Sequence, residues 1–336
     1  MNMKKTLFIA VAIALSITIN AQKAALHSPT NVQLFTGVNA FINAYSASLP
    51  GDTIYLSGGS FSVPATIEKK LLIFGAGHYP DSTIVTGRTV LQSNLNLGEN
   101  ADGFHLEGLE INGDLIFTND KDINNVTVKY CKINNVKIDG TTNPSNNLLF
   151  IRNVITGFML KNAANVLISN NIIGSISYSY GNTISNNIYL SHVYEGYYNQ
   201  YLFGQDNNTI INNIFIETYY PWVSGSGNIF KNNLFVKSNP GYGTSPTESG
   251  NYTNVPQTDI FVNQSGQTFD YTHDYHLKNP ETYSGTDGTQ VGIYGGTYPY
   301  KDGGVPSNPH IQLQNIAPTT NNGILNVEIK VSAQDN

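Results

Sequence analysis

The stretch from Asn124 to Val236 repeats one short phrase six times, as NNVTVKYCKI, NNLLFIRNVI, ANVLISNNII, NTISNNIYL, NTIINNIFI and NIFKNNLFV. One position holds Asn in five copies and Cys in the first, and we call it the anchor. The anchors are Cys131, Asn153, Asn171, Asn187, Asn213 and Asn233. Their spacing is irregular but close to twenty residues, which is typical of a chain that winds into stacked coils.

Apolar residues flank every anchor at fixed distances. Three residues before it stand Val128, Phe150, Ile168, Ile184, Ile210 and Phe230, and two residues after it stand Ile133, Ile155, Ile173, Tyr189, Phe215 and Phe235. Such residues favour short strands. Asn tolerates the left-handed backbone of a tight bend, and its amide can bond to the Asn one coil away. The pattern therefore predicts an all-β protein, a single right-handed parallel β-helix (a solenoid).

The start of the mature chain supports this fold. Apolar residues at helical spacing are Val38, Phe41, Ile42 and Tyr45. The run LPGDTIYL follows at 49–56, and LLIFGAG at 71–77. These segments resemble the opening of pectate-lyase-like β-helix proteins, over about residues 38–237. The resemblance implies an N-terminal capping helix and a right-handed parallel β-helix. It does not fix an activity, because that fold carries lyases, hydrolases, adhesins and inert spacers.

Three regions are predicted along the chain. Residues 1–21 have two lysines, an apolar run and a terminal Ala, which is typical of a secretory signal peptide. Residues 22–277 form the β-helix with its N-terminal cap. Residues 278–336 form a tail rich in Gly and Pro with two short strands. The signal predicts a secreted or cell-surface protein, and the apolar run is too short for a transmembrane segment.

The tail allows two interpretations. Its two strand-like runs are His310–Ile316 and Gly323–Val331. The tail resembles the ends of uncharacterised secreted β-helix proteins from Bacteroidetes-type bacteria, which supports export more than any activity. The two strands either cover the open edge of the last coil or begin a separate β-sandwich. Residues 259–277 are expected to add one or two irregular coils before the tail.

Composition excludes some classes of partner. The net charge is −6 without a basic cluster, which argues against nucleic acid. Charged residues make up 12% of the chain, against about 25% in typical soluble domains. The polar residues are mainly Asn, Ser, Thr, Gly and Tyr, which suits contact with a neutral polysaccharide or cell-surface component. Cys131 is the only cysteine, so no intramolecular disulfide forms, and its anchor position predicts a buried thiol.

Catalytic motifs are sparse. A lyase of this fold needs clustered carboxylates for Ca²⁺ and a cationic base, and a hydrolase needs two carboxylates on one face. The coils from 124 to 216 contain only Asp139, Glu195 and Asp206 as acids. Arg152 and Lys161 are weak candidates for a base, although outward cations are usually only solvated. We expect no catalytic residues and no cofactor.

A calcium site remains a minor alternative. The densest acidic group in the sequence is formed by Glu107, Glu110, Asp114, Asp120 and Asp122. Carboxylates are the ligands that Ca²⁺ prefers. The seven histidines show no metal-binding spacing, so we predict no other metal site.

Aromatic residues supply the predicted ligand-binding surface. The interval from Asn187 to Asn213 is the longest and must extrude a loop. Together with the next coil it carries Tyr194, Tyr197, Tyr198, Tyr201, Tyr219, Tyr220 and Trp222. Rings on adjacent coils would form a flat strip for stacking on sugars or on a partner protein, and the alternative is that they only pack the loop.

The sequence favours a non-catalytic module that binds carbohydrate or another surface component. One alternative is a polysaccharide lyase or glycoside hydrolase of the pectate-lyase-like superfamily. A second is a structural or adhesive subunit of an envelope assembly, with envelope proteins as partners. In that last case the aromatic strip would be a protein interface.

Overall fold

Two large sheets wind together along the chain. The computed structural model describes residues 22–190, 202–203, 205–216, 225–307, 309–320 and 322–333. Sheet 1 contains β1 (Lys23–Ser28), β2 (Asn31–Thr36), β3 (Thr53–Leu56), β5 (Leu72–Phe74), β8 (His105–Glu107), β11 (Thr127–Lys129), β13 (Ser145–Ile151), β15 (Ala163–Ser169), β17 (Thr183–Ser185), β20 (Thr209–Ile211), β22 (Ile229–Lys231) and β24 (Thr247–Ser249).

The strands of sheet 2 lie between those of sheet 1 in the sequence, one or two at a time. They are β4 (Gly59–Phe61), β6 (Thr89–Leu91), β7 (Leu95–Leu97), β9 (Glu110–Ile111), β10 (Leu115–Phe117), β12 (Lys132–Ile138), β14 (Val154–Met159), β16 (Ile172–Ser177), β18 (Ile188–Tyr189), β19 (Leu202–Phe203), β21 (Ile214–Phe215) and β23 (Leu234–Phe235). Short 3₁₀ helices lie at Asp81–Thr83 and Pro280–Thr282.

The coils stack in parallel and in register. In sheet 1, Phe150 pairs with Ile168 of the next coil, and in sheet 2, Ile155 pairs with Ile173 of the next coil. The chain makes about nine turns, with 41% strand and 6% helix, which confirms the predicted parallel β-helix. The residues three before the anchors are all fully buried, and those two after are at most 1% exposed. The predicted inward face is therefore correct.

The anchor side chains form a buried ladder at the corner between the sheets. The Asn171 amide oxygen accepts hydrogen bonds from the N–H and the Nδ2 of Asn153, at 2.8 and 3.0 Å. The same pattern continues to Asn251, which accepts from Asn233. Cys131 begins the ladder, and burial raises the pKa of its thiol to about 12. Each buried amide is thus paired, which removes the main cost of burying it.

The residue before each anchor turns the corner. It has a left-handed backbone in six successive coils, at Tyr130, Arg152, Asn170, Asn186, Asn212 and Asn232. Asn adopts this conformation more readily than most residues. The repeated Asn pair therefore has two roles. The second Asn builds the internal ladder, and the first one bends the chain and contacts the tail that covers this corner.

Residues 284–307, which we call the strap, run back along this corner. Near the last coils, Thr286 N–H donates to the Asn212 side chain at 2.8 Å. Further along, the Asn170 Nδ2 donates to the carbonyl oxygens of Ile293 and Gly295 at 2.8 and 2.7 Å. The strap thus uses the outward Asn side chains as a row of docking points, running from the C-terminal coils towards the N-terminal ones.

The N-terminal end is closed by a hairpin and a helix. β1 pairs antiparallel with both β2 and β3, so the first hairpin extends sheet 1, and no sequence pattern indicated this hairpin. An α-helix spans Ala40–Ala47 and buries Phe41, which confirms the predicted capping helix. Val38 was assigned to the apolar face of that helix, but it precedes the helix and is half exposed.

The C-terminal segments depart from the predictions. A short α-helix (Gln257–Ile260) leads into β25 (Phe261–Asn263), which pairs antiparallel with β26 (Asp274–Leu277). In the described part these strands join neither large sheet, so residues 259–277 do not add the irregular coils that we expected. The reason is that their apolar side chains pack on the outside of sheet 2 and not into the coil interior.

The two predicted strands of the tail pair with each other and lie away from the last coil. β27 (His310–Ile316) pairs antiparallel with β28 (Val327–Ser332). Ile311 lines a groove together with Tyr55 and Phe74 of the first coils. The expectation that these strands cover the last coil is therefore wrong, because the strap has carried the chain back to the opposite end.

Candidate functional site

The two candidate bases lie apart and have different partners. Arg152 is buried, donates to the Tyr130 hydroxyl and the Tyr298 carbonyl oxygen, and lies over the Tyr130 ring. It fastens the strap to the corner. Lys161 is half exposed and pairs with Asp139 at 3.0 Å. The structure therefore does not bring these two candidates together at one site.

The acidic group forms a row of ion pairs and not a cluster. Glu107 pairs with Lys129, Glu110 with Lys132 and Asp114 with Lys137, at 3.3, 2.9 and 2.6 Å. Each lysine lies one coil after its acid, so the pairs join neighbouring coils. Asp120 instead accepts backbone hydrogen bonds from a turn. Within the described ranges no three His, Cys, Asp or Glu side chains converge in a way that could hold a metal.

Glu107 is the most buried of these acids, at 1% exposure. Burial alone would raise its pKa. Hydrogen bonds from His105 and Ser307, with the charge of Lys129, outweigh burial and lower the pKa to about 2. Ser307 donates both its N–H and its hydroxyl to one carboxylate oxygen, at 2.7 and 2.6 Å. The carboxylate therefore stays ionised and holds the end of the strap.

The predicted ligand-binding residues Tyr194, Tyr197, Tyr198, Tyr201, Tyr219, Tyr220 and Trp222 lie outside the described residues. The chain positions that precede them are described. Leu190 comes before the first aromatic segment and Ile216 before the second, and both are buried. They occupy the same place in successive coils, three residues after an anchor.

The outside of sheet 2 carries a second apolar row. It consists of the residues directly after the anchors, namely Val154, Ile172, Ile188, Ile214 and Leu234, all of them buried. They pack against Ile260, Phe261, Tyr275, Leu277, Val291 and Ile293. The sequence signal for this row was present, since two apolar residues in succession follow each of these anchors. One of the two must point outward, where it needs cover.

Where this cover stops, the described residues form a groove of about 240 Å³ on sheet 2. Its apolar floor includes Val154, Ile172 and Leu190. Its rim carries Lys132, Asn134, Thr156, Gln267, Thr268 and Phe269. Amides, hydroxyls and an ammonium thus surround an apolar floor with one aromatic ring. An apolar concavity with a few polar groups is the usual make-up of a ligand site.

The cationic side of the groove is held in place. The Lys132 ammonium pairs with Glu110 at 2.9 Å and lies 5.6 Å from the centre of the Tyr271 ring. Glu110 also pairs with Arg88 at 3.0 Å. The network contains two cations and one acid, so it leaves one net positive charge beside the groove, while the other polar groups of the rim are uncharged amides and hydroxyls.

The aromatic side is braced by other rings. Phe269 contacts Tyr271 edge to face at 4.9 Å and stacks parallel to Tyr275 at 6.1 Å. Tyr271 in turn contacts Tyr79 and the buried His78. Such packing restricts the orientation of Phe269, so its ring is already ordered before any ligand arrives.

A second aromatic group lies outside sheet 1. His27, Tyr55, Phe74 and His105 follow each other on successive strands, with ring centres 4.9, 5.5 and 5.2 Å apart. Tyr55 and Phe74 are stacked, at 19° between planes. In a stacked pair the ring faces contact each other, so the ring edges are what is left for a ligand. This row therefore suits sugar stacking less well than the groove does.

No family model matches this chain, and comparisons with curated proteins and with solved structures found no match. None of the helices in the described part of the chain is long and apolar enough to cross a membrane. The fold is thus established by the structure itself, while the resemblance to pectate-lyase-like proteins stays a prediction.

Proposed function

We propose that this protein is exported to the cell surface or the medium, where the sheet 2 groove binds carbohydrate without breaking it down. The observation that carries the proposal is the composition of the groove. Its floor is apolar, its rim offers Asn134, Gln267 and Thr156, and Phe269 stands at its side. A sugar has apolar ring faces surrounded by hydroxyls, so it matches a surface of this kind.

The position of the groove adds support. Leu190 lines it and directly precedes the first predicted aromatic segment in the chain. The last described residue before the predicted tyrosines of the first segment is thus part of the groove. A neutral sugar is favoured over a charged polymer, because Lys132 is the one charged side chain among the described lining residues and the other polar groups are amides and hydroxyls.

Catalysis has weaker support. A lyase or hydrolase needs carboxylates close to the bound sugar. The nearest acid in the rim network, Glu110, is engaged by two cations. Two alternatives remain: an enzyme of the pectate-lyase-like superfamily and a structural subunit of an envelope assembly. Each predicts a result in the following experiment that differs from the result expected for a carbohydrate-binding protein.

The test is a glycan panel screened with the purified mature chain and with two matched variants. Thr156→Trp fills the groove from an outward position on β14, whereas Thr183→Trp places the same ring on the outside of sheet 1. We expect Thr156→Trp to abolish glycan binding and Thr183→Trp to leave it unchanged, with both melting temperatures close to wild type.

Other outcomes would point elsewhere. Equal binding by both variants would remove the groove from the proposal. Release of unsaturated products or reducing ends from any bound glycan would establish an enzyme instead. Binding that survives Thr156→Trp but weakens in the double variant Tyr198→Ala, Trp222→Ala would assign recognition to the aromatic segments alone.

A further inference from the structure

The C-terminal hairpin has an open strand. In the described part of the chain β28 pairs only with β27, so its other edge has no partner strand. Both of its faces are exposed as well: Val327, Ile329 and Val331 on one face are 51, 53 and 57% exposed, and Glu328 and Lys330 on the other face are exposed too. An isolated two-stranded hairpin is marginally stable in water, and more strands or a packing surface are normally needed.

The open edge of β28 carries few of the features that prevent strand pairing. Natural edges are protected by proline, by bulges or by inward charges. β28 contains no proline, and the register shift of this hairpin falls on β27, between Ile311 and Leu313. Two charged residues, Glu328 and Lys330, are present, but they have opposite signs.

The sequence of β28 is complementary to itself. It reads Val327-Glu328-Ile329-Lys330-Val331, with apolar and charged residues placed symmetrically about Ile329. We propose that β28 pairs antiparallel with β28 of a second copy of this chain, about a two-fold axis at Ile329. This interface is independent of the carbohydrate-binding proposal.

In that register every cross-strand pair is favourable. Val327 lies opposite the partner's Val331, and Glu328 lies opposite the partner's Lys330. Each contact occurs twice, as two-fold symmetry requires. The two hairpins become one four-stranded sheet, which satisfies the free backbone groups of both edges.

Competing registers are disfavoured. Moving the axis to Glu328 or to Lys330 places like charges directly opposite each other, and a parallel arrangement in register does the same at both positions. The charges that flank Ile329 thus specify one register and one partner, namely another copy with the same pattern.

The experiment measures the mass of the full mature chain over a range of concentrations, with charge-reversal variants. Glu328→Lys and Lys330→Glu each place like charges opposite one another in the pair. We expect each to raise the dimer dissociation constant at least roughly tenfold, because two attractive pairs become repulsive. Glu281→Lys, an exposed site outside the hairpin, is the control for net charge and should leave dimerisation unchanged.

Two combinations make the test specific. The double variant Glu328→Lys, Lys330→Glu restores opposite charges and should dimerise about as well as wild type. An equimolar mixture of the two single variants should form heterodimers, because each then faces the opposite charge. A structural defect of the hairpin would weaken these combinations too, so their recovery separates pairing from folding.

A wild-type chain that stays monomeric up to roughly 100 μM, where a micromolar contact would be nearly saturated, would overturn the proposal. So would a dimer whose affinity is the same in the wild type and in both single variants. Failure of the double variant and of the mixture to recover would assign the edge to a different partner strand.

Discussion

At the scale of single residues, the repeated Asn pair explains both faces of the corner. Asn171 is completely buried and continues the internal ladder, whereas Asn170 has a positive φ and holds the strap. The two positions are adjacent in sequence but face opposite environments. The same division applies along the strands, where neighbouring side chains point into and out of the coil.

Adjacent residues on β15 should therefore respond differently to the same substitution. Ile168→Asp places an unpaired charge inside the coil, and we expect it to abolish cooperative unfolding. Leu167→Asp changes the outward neighbour, which is half-buried, and should cost within about 1 kcal/mol. Urea unfolding followed by circular dichroism measures both. Similar stabilities for the two variants would contradict the inward and outward assignment.

At the scale of elements, the strap is the feature that converts a row of coils into a covered surface. One end is held by the Asn212 side chain and the other by Glu107. Near that second end the strap lies directly on His78, since a side-chain carbon at Gly304 would be 2.7 Å from His78 Nε2. That nitrogen has no hydrogen-bond partner among the described residues.

The strap should consequently make the protein sensitive to acid. Burial, with the positive charges of Lys132 and Arg88, lowers the pKa of His78 from 6.5 to about 3. The fold therefore favours neutral His78, and this stabilisation is complete above pH 6.5 and is lost as the pH falls towards 3. We expect at most about 1.4 kcal/mol less stability per pH unit in this window.

Unfolding by urea at pH 7 and pH 5 tests this, with His78→Gln as the comparison. The variant removes the titrating group, so its stability should change less between the two pH values than that of the wild type. Equal pH dependence in both proteins would show that another group is responsible. Glu107 does not interfere, because its stabilising effect is lost only below pH 4.5.

At the scale of the whole molecule, about nine turns at ~4.8 Å each give a body roughly 43 Å long. Ion pairs between coils, the Asn ladder and the strap all run along this axis. The acids are distributed along it in pairs with lysines, and none of these pairs resembles the two carboxylates that cleave a glycosidic bond.

We therefore expect background activity on polygalacturonate and alginate, with and without Ca²⁺. A net charge of −6 also gives the protein no electrostatic attraction to anionic polymers. Absorbance of unsaturated products and assays of reducing ends provide the measurement. Clear turnover of either polymer by the wild type that is lost in Lys161→Ala would favour the lyase alternative. That variant is preferable to Arg152→Ala, which would also release the strap.

The sequence by itself determined the coil. A phrase that recurs with apolar residues at fixed offsets from Asn identifies the inward face of every turn, because strand alternation and stacking are local and repetitive. The capping helix, the buried thiol and the two C-terminal strands were predictable for the same reason. Each depends on residues that are close together in the chain or that repeat with the coil.

Only the tertiary structure decided what covers the coil. The contacts between Asn170 and Gly295, or between Glu107 and Ser307, join residues more than a hundred positions apart. No repeat relates the two sides of such a contact, so sequence spacing carries no information about it. The groove lies at the edge of this cover. There the outward apolar row of sheet 2, which repeats with the coil, meets a covering segment that has no repeat.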